Sequence, residues 1–148
     1  MARILVLNGP NLNLLGTREP EVYGTDTLAD VLNRLAKLAT SRGSSVVGFQ
    51  SNAEHELIER VQGAAKAGFD ALLLNAGAFA HTSVALRDAL VASQLPFYEV
   101  HISNVYAREP FRHHSYLSAI AAGVIVGCGT VGYELALEAA LRRIGERR

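Results

Sequence analysis

The chain has 148 residues, and its 14 Lys+Arg balance 14 Asp+Glu, so the formal charge at pH 7 is zero. That length suits one domain, residues 1–148, able to bury roughly 68–70% of its unfolded surface, and a 49% hydrophobic content argues against disorder. Zero net charge excludes a strongly basic nucleic-acid binder as the first reading, while leaving room for a local cationic pocket.

Short apolar runs alternate with amphipathic ones along the chain. Ile4–Leu7 reads as a buried strand ending at Asn8-Gly9-Pro10. Leu28, Val31, Leu32, Leu35 and Leu38 repeat at helical spacing, with Asp26 or Thr27 as N-cap and Gly43 as C-cap. Ser45–Gln50 is a second strand. Leu57, Ile58, Val61 and Ala65 mark a second helix, closed by Gly68. Ala71–Leu74 is a third strand, and Ser83–Ser93 a third helix. Phe97–Ile102 and Val124–Val126 are the fourth and fifth strands, and Glu134–Arg143 is the last helix. Five β/α units with hydrophobic strands predict an α/β fold with a parallel sheet covered on both faces. At this length the expected architecture is a flavodoxin-like three-layer sandwich with a five-stranded sheet in the order 2-1-3-4-5. Two long connections, Gly9–Thr25 and Ser103–Ser115, fall outside the alternation, and loops of that length are usually functional or disordered.

Cys128 is the only cysteine, so the chain can form neither an internal disulfide nor a cysteine-based zinc site. The start, MARILVLNGPN, lacks a signal-peptide pattern, and no stretch approaches the ~18 apolar residues of a membrane span. A cytoplasmic location without membrane contact is the default expectation. Of the basic residues twelve are Arg and only Lys37 and Lys66 are Lys, a bias toward fixed positive charge rather than amine nucleophiles.

In an open α/β sheet, ligands bind beyond the carboxyl ends of the strands. Those ends carry Asn8, Asn11 and Asn13; then Asn75 and His81; then Glu99, His101 and Ser103. Turns favour Asn on their own account, so the weight rests on the convergence of several ends on one rim. Glu99 and His101 alternate along a strand and share a face, where a carboxylate can orient an imidazole and hold it protonated as a general acid. Spacing alone leaves open a satisfied pair of buried polar groups. Tyr23 in the first loop reads equally as a packed aromatic or a base. The base role costs about 4 kcal/mol at pH 7, which the guanidiniums of Arg18 and Arg108 can offset. Gly127, Gly129 and Gly132 match G-x-G-x-x-G, but no later strand supplies a ribose-binding acid, so a short anion-binding or close-packing turn is the better reading. Cys128 within that turn reads as a nucleophile or, as is commoner, a small packed thiol. His55 reads as a solvated helix residue, and the adjacent His113 and His114 diverge too much for a metal pair.

Five segments, in order, are NGPNLNLLGTREPEVYG, QSNAEHELIERV, LLLNAGAFAHTSVALRDAL, PFYEVHISNVYAREPFRHHS and GCGTVGYELAL. Together they cover nearly the whole chain and resemble type II 3-dehydroquinate dehydratases. The chain differs from many of that family in carrying Phe79-Ala80, rather than Tyr-Thr, before His81. The resemblance implies an anti elimination of water from 3-dehydroquinate, through an enolate, to give 3-dehydroshikimate in the shikimate pathway of aromatic amino acid biosynthesis. It implies no metal or organic cofactor. By resemblance, Tyr23 is the base, Arg18 stabilises the phenolate, His101 is the acid oriented by Glu99, and Asn11 positions a water against the enolate oxygen. Asn75, His81, Asp88 and Arg112 are implied substrate contacts, Ile102 and Ser103 carboxylate binders, and Arg108 a residue that closes the first loop. The family also implies a homo-dodecamer built from trimers, with Asp88 donated by a neighbouring subunit. The alternative is a non-catalytic flavodoxin-like module binding a nucleotide or flavin, suggested by the fold and the glycine turn. A scaffold role through oligomerisation is compatible with the enzyme reading.

Overall fold

Strand β1 (Arg3–Asn8) is buried on both faces from Ile4 to Asn8, a pattern that suits only a central position. The computed structural model, which describes residues 1–147, places it there, between β2 (Ser45–Gln50) and β3 (Ala71–Asn75). Strands β4 (Phe97–His101) and β5 (Gly123–Val126) complete a parallel sheet in the order β2-β1-β3-β4-β5. The three central strands are fully buried along nearly their whole length, whereas β2 and β5 are edges and only partly covered. This is the expected flavodoxin-like order. Register aligns Asn8 with Asn75 and Leu74 with Glu99, so the polar ends of three neighbouring strands lie on one rim.

Helices α1 (Pro20–Tyr23), α2 (Leu28–Ser41), α3 (Glu54–Ala64), α4 (Val84–Ser93) and α5 (Val131–Arg147) complete the chain. Even-numbered β1 residues Ile4 and Val6 meet Val31 and Leu35 of α2 and Leu137 and Ala140 of α5. Odd-numbered Leu5 and Leu7 meet Leu57 and Val61 of α3 and Leu86 and Leu90 of α4. The period-2 alternation of the strands therefore decides which helix pair each side chain reaches.

Thr27 is the N-cap of α2. Its hydroxyl accepts from Asp30 N–H at 3.1 Å and the Asp30 carboxylate accepts from Thr27 N–H at 3.0 Å, a reciprocal capping box. Asp26 is thereby left for another task. Its carboxylate accepts from Thr130 Oγ1 at 2.7 Å and from Arg34 at 2.9 Å, while Arg34 Nε donates to Glu134 at 2.8 Å. This cluster ties the end of the first loop to the start of α5.

Two boundaries depart from the sequence expectation. Helix α5 begins at Val131, three residues early. In the glycine turn before it, Gly127 has a φ of 84° and a Cβ there would stand 3.1 Å from Asn104 Cβ, so the turn is a close-packing device. The first long loop contains helix α1, opened by Pro20 at its first position, where a missing N–H costs nothing. Cys128 is a correction: it is exposed rather than packed, because the turn that carries it projects beyond the sheet.

Close backbone approach also shapes the rim. Gly9 N–H donates to Asn75 O at 2.8 Å, and a Cβ on Gly9 would stand 2.2 Å from the Ala76 carbonyl oxygen. Only glycine lets the chain leave β1 pressed against the chain leaving β3.

Candidate active site

One cleft opens at the carboxyl rim of the sheet. It is lined by Asn11, Arg18, Tyr23, Asn75, His81, His101, Ile102, Ser103, Arg108 and Arg112, together with Pro10, Leu12, Gly77, Ala78 and Val105. Its volume is about 190 Å³. Ten of the twelve residues singled out in the sequence reach it. Glu99 lies behind His101, and Asp88, exposed on α4, does not line it. Neither Lys37 nor Lys66 is among its lining residues.

Glu99 has no exposed surface, and His101 is 6% exposed. Their side chains project from the same face of β4, and Glu99 Oε2 is hydrogen-bonded to His101 Nε2. Two further donors complete the carboxylate: Ser115 Oγ at 2.8 Å to Oε2 and Ser118 Oγ at 2.5 Å to Oε1. Burial is the largest single influence on Glu99 and pushes its carboxyl up. The hydrogen bonds from His101, Ser118 and Ser115 and the His101 charge together outweigh it and hold the group below its ordinary value. Because Nε2 is engaged, Nδ1 is the His101 nitrogen left for the cleft.

His81 stacks on His101, with ring centroids 6.0 Å apart and planes 23° from parallel. Burial is the main reason its pKa is lowered, reinforced by repulsion from His101 and Arg112 and opposed by the His114 carbonyl and Glu99. A neutral His81 has one N–H, and the His114 carbonyl 2.8 Å from Nδ1 fixes it there. His81 thus offers Nε2 as an acceptor.

The first loop brings Tyr23 to the same cleft. Arg108 Nη1 donates to the Tyr23 hydroxyl at 2.8 Å and to Ser103 Oγ at 3.3 Å. The guanidinium carbons of Arg18 and Arg108 lie 5.3 and 5.5 Å from the Tyr23 ring centre. Arg108 is in turn held by its own carbonyl, which lies 3.0 Å from His113 Nε2. The direct hydrogen bond to the phenol therefore comes from the second long loop, whereas Arg18 approaches the ring. Asn11 adopts a left-handed backbone (φ 69°), with its N–H donating to Asn52 Oδ1 at 3.0 Å. Arg112 Nε is paired with Glu109 at 3.0 Å.

Other candidates turn out to be structural. Asn8 is fully buried and hydrogen-bonded within the fold, His55 is exposed, and His113 and His114 make separate contacts. No group of three or more His, Cys, Asp or Glu among the described residues is arranged to hold a metal ion. Sequence reasoning passed over Ser115 and Ser118. A carboxylate on a fully buried strand demands donors, and that demand is the signal that points to serines in the segment that follows.

Comparison with known proteins agrees with this geometry. The family described as Dehydroquinase class II matches residues 2–141. A 3-dehydroquinate dehydratase of Marinobacter nauticus is 64% identical over 144 residues, covering 97% of this chain and 99% of that protein. The crystal structure of a type II dehydroquinase from Propionibacterium acnes superposes with a TM-score of 0.91 at 44% identity, covering 96% of this chain and 97% of the other. That of the Butyrivibrio crossotus enzyme gives a TM-score of 0.91 at 42% identity, covering 94% and 97%.

The carboxylate network predicts an acid-sensitive fold. A depressed carboxyl pKa contributes stability that is present above the unfolded value, near 4.5, and is lost as pH falls through the folded value. Replacing Ser118 with Ala removes one donor, raises the folded value and moves the loss to higher pH. The acid-unfolding midpoint of Ser118→Ala, followed by circular dichroism, should therefore lie above that of wild type.

Proposed function

The chain belongs to the class II dehydroquinase family, and from that premise we propose that its rim cleft carries out the anti elimination of water from 3-dehydroquinate. The observation that carries the reading is the meeting of two prepared pairs in one cleft, Arg108–Tyr23 on a loop and Glu99–His101 on a strand.

The phenolate of Tyr23 removes a proton from the carbon next to the substrate ketone. The C–H electron pair passes to the carbonyl oxygen as an enolate. The Arg108 N–H on the phenolic oxygen and the positive charge of Arg18 near the ring stabilise the anionic base. Asn11 positions a water against the enolate oxygen, so that a donor meets the charge where it develops. The enolate then collapses, forming the C=C bond as the C–O bond breaks. His101 Nδ1 supplies the proton that lets the hydroxyl leave as water, and Glu99 balances the imidazolium from behind. Asn75, His81 and Arg112 contact substrate hydroxyls. Ile102 and Ser103 hold its carboxylate through backbone N–H groups and the serine hydroxyl. The product is 3-dehydroshikimate, an intermediate of the shikimate pathway. An imine route has no amine to start from, since no lysine lines the cleft.

The flavin or nucleotide module finds no support in the glycine turn, whose Gly127 packs tightly against Asn104. Asp88 is proposed to complete the cleft of a neighbouring subunit in a dodecamer built from trimers. Val84, Asp88 and Val91 share one face of α4 by their spacing, and the two valines are 50% and 56% exposed, which supports an interface there. A cytoplasmic location is proposed. No helix among the described residues is long and apolar enough to cross a membrane.

Absorbance of the conjugated enone product measures turnover directly. Tyr23→Phe keeps the ring and removes the base, so kcat should fall at least about 10²-fold; a rate near wild type contradicts the assignment. Asp88→Ala should raise KM for 3-dehydroquinate, and wild-type kinetics in that variant would show that no subunit shares its Asp88 with a neighbour's cleft.

A further inference from the structure

Tyr133 is the largest fully buried side chain, and the mechanism above leaves it without a role. It lies in the first turn of α5, directly after Gly132. Its hydroxyl donates to Asn8 Oδ1 at 2.7 Å and accepts from Asn75 Nδ2 at 2.9 Å. Asn8 and Asn75 stand side by side in register at the ends of β1 and β3.

The chain of hydrogen bonds runs in one direction, and both ends are fixed by backbone groups. Gly77 N–H donates to Asn75 Oδ1 at 3.2 Å, and an N–H can only donate. Asn8 Nδ2 donates to the Phe49 carbonyl at 3.4 Å, and a carbonyl can only accept. Between these ends each amide has one allowed orientation, and the phenol bridges them as acceptor at one side and donor at the other. Burial pushes the Tyr133 phenol far above its ordinary pKa, so it keeps its proton over the whole working range. Asn75 also lines the cleft. Its oxygen is taken by Gly77 and one amide hydrogen by Tyr133, which leaves the second amide hydrogen for a ligand.

We propose that Tyr133 is a positioning residue for the dehydratase site. By pairing with the Asn75 amide nitrogen while Gly77 N–H holds the oxygen, it makes Asn75 a hydrogen-bond donor, never an acceptor, toward a substrate oxygen. The inference rests on the dehydratase reading and adds a polarity to the cleft: Asn75 donates where His81, with its Nδ1 proton on the His114 carbonyl, accepts. A ring carrying neighbouring hydroxyls meets one partner of each kind.

Kinetics of Tyr133→Phe test this. The ring and its packing remain, and only the bridge is lost. Without the bridge the Asn75 amide keeps only the 3.2 Å bond from Gly77 N–H and loses its fixed placement, so about one hydrogen bond to substrate is lost and KM should rise about tenfold. Binding lost equally from ground and transition states leaves kcat within about twofold of wild type. The rise should be the same from about pH 6 to pH 9, because a phenol that does not titrate there is being removed. In an Asn75→Ala background the same substitution should change KM by less than about twofold, since Tyr133 acts only through Asn75. A KM within about twofold of wild type for Tyr133→Phe, or an equal rise in both backgrounds, overturns the proposal. If Tyr133→Phe yields no folded protein, Asn8→Leu releases the direction of the Tyr133 hydroxyl and should also raise KM; an unchanged KM there overturns it equally. Failure of the wild-type chain to turn over 3-dehydroquinate would instead overturn the dehydratase reading itself.

Discussion

A carboxylate with no exposed surface sits near the end of β4, and its surroundings are arranged to keep its charge. An isolated buried carboxylate would take up a proton rather than stay ionised, so Glu99 depends on its three donors, His101, Ser115 and Ser118. Those donors come from its own strand and from the segment that leads into β5. The second long loop must therefore return to the rim before the last strand can begin. In doing so it carries Arg108 to Tyr23 and the His114 carbonyl to His81. One buried charge thus sets the path of the loop that furnishes much of the cleft.

The two halves of the cleft are built differently. The proposed acid, His101, stands with Glu99 on a strand with neighbours on both sides and is held by the sheet. The proposed base, Tyr23, stands on a four-residue helix with no buried residue, held by Arg108 and by guanidinium contacts to its ring. The far end of its loop is anchored by the Asp26–Arg34–Thr130–Glu134 cluster. A rigid acid and a base on a loop suit a site that must admit a ring substrate between them and then surround it.

Much of this was legible in the sequence, for physical reasons. The apolar runs of β1, β3 and β4 leave only central positions for those strands, and the sheet order follows. Strand ends rich in Asn, Glu and His mark the rim, and period-2 alternation puts Glu99 and His101 on one face. The resemblance placed Tyr23, Arg18 and Asn11 beside them. What escaped was set by partners distant in the chain. Tyr133 looks like an ordinary core aromatic until Asn8 and Asn75 are seen beside it, 125 and 58 residues away in the chain. Whether Arg18 or Arg108 reaches the phenol depends on how two loops fold against each other, which no local pattern encodes. Cys128 was expected to pack because thiols usually do, yet its turn is shaped by the glycines around it and projects to solvent.

In the proposed reaction, proton removal falls to Tyr23 and hydroxyl loss to His101, two separate groups of one cleft. Exchange of the substrate's acidic α-hydrogen in deuterated water, followed by NMR alongside product formation, separates the two steps. In His101→Ala, Tyr23 should still exchange this hydrogen with solvent while dehydration falls by at least about 10²-fold. Loss of exchange and dehydration to the same extent, or dehydration at the wild-type rate, would contradict this division of roles.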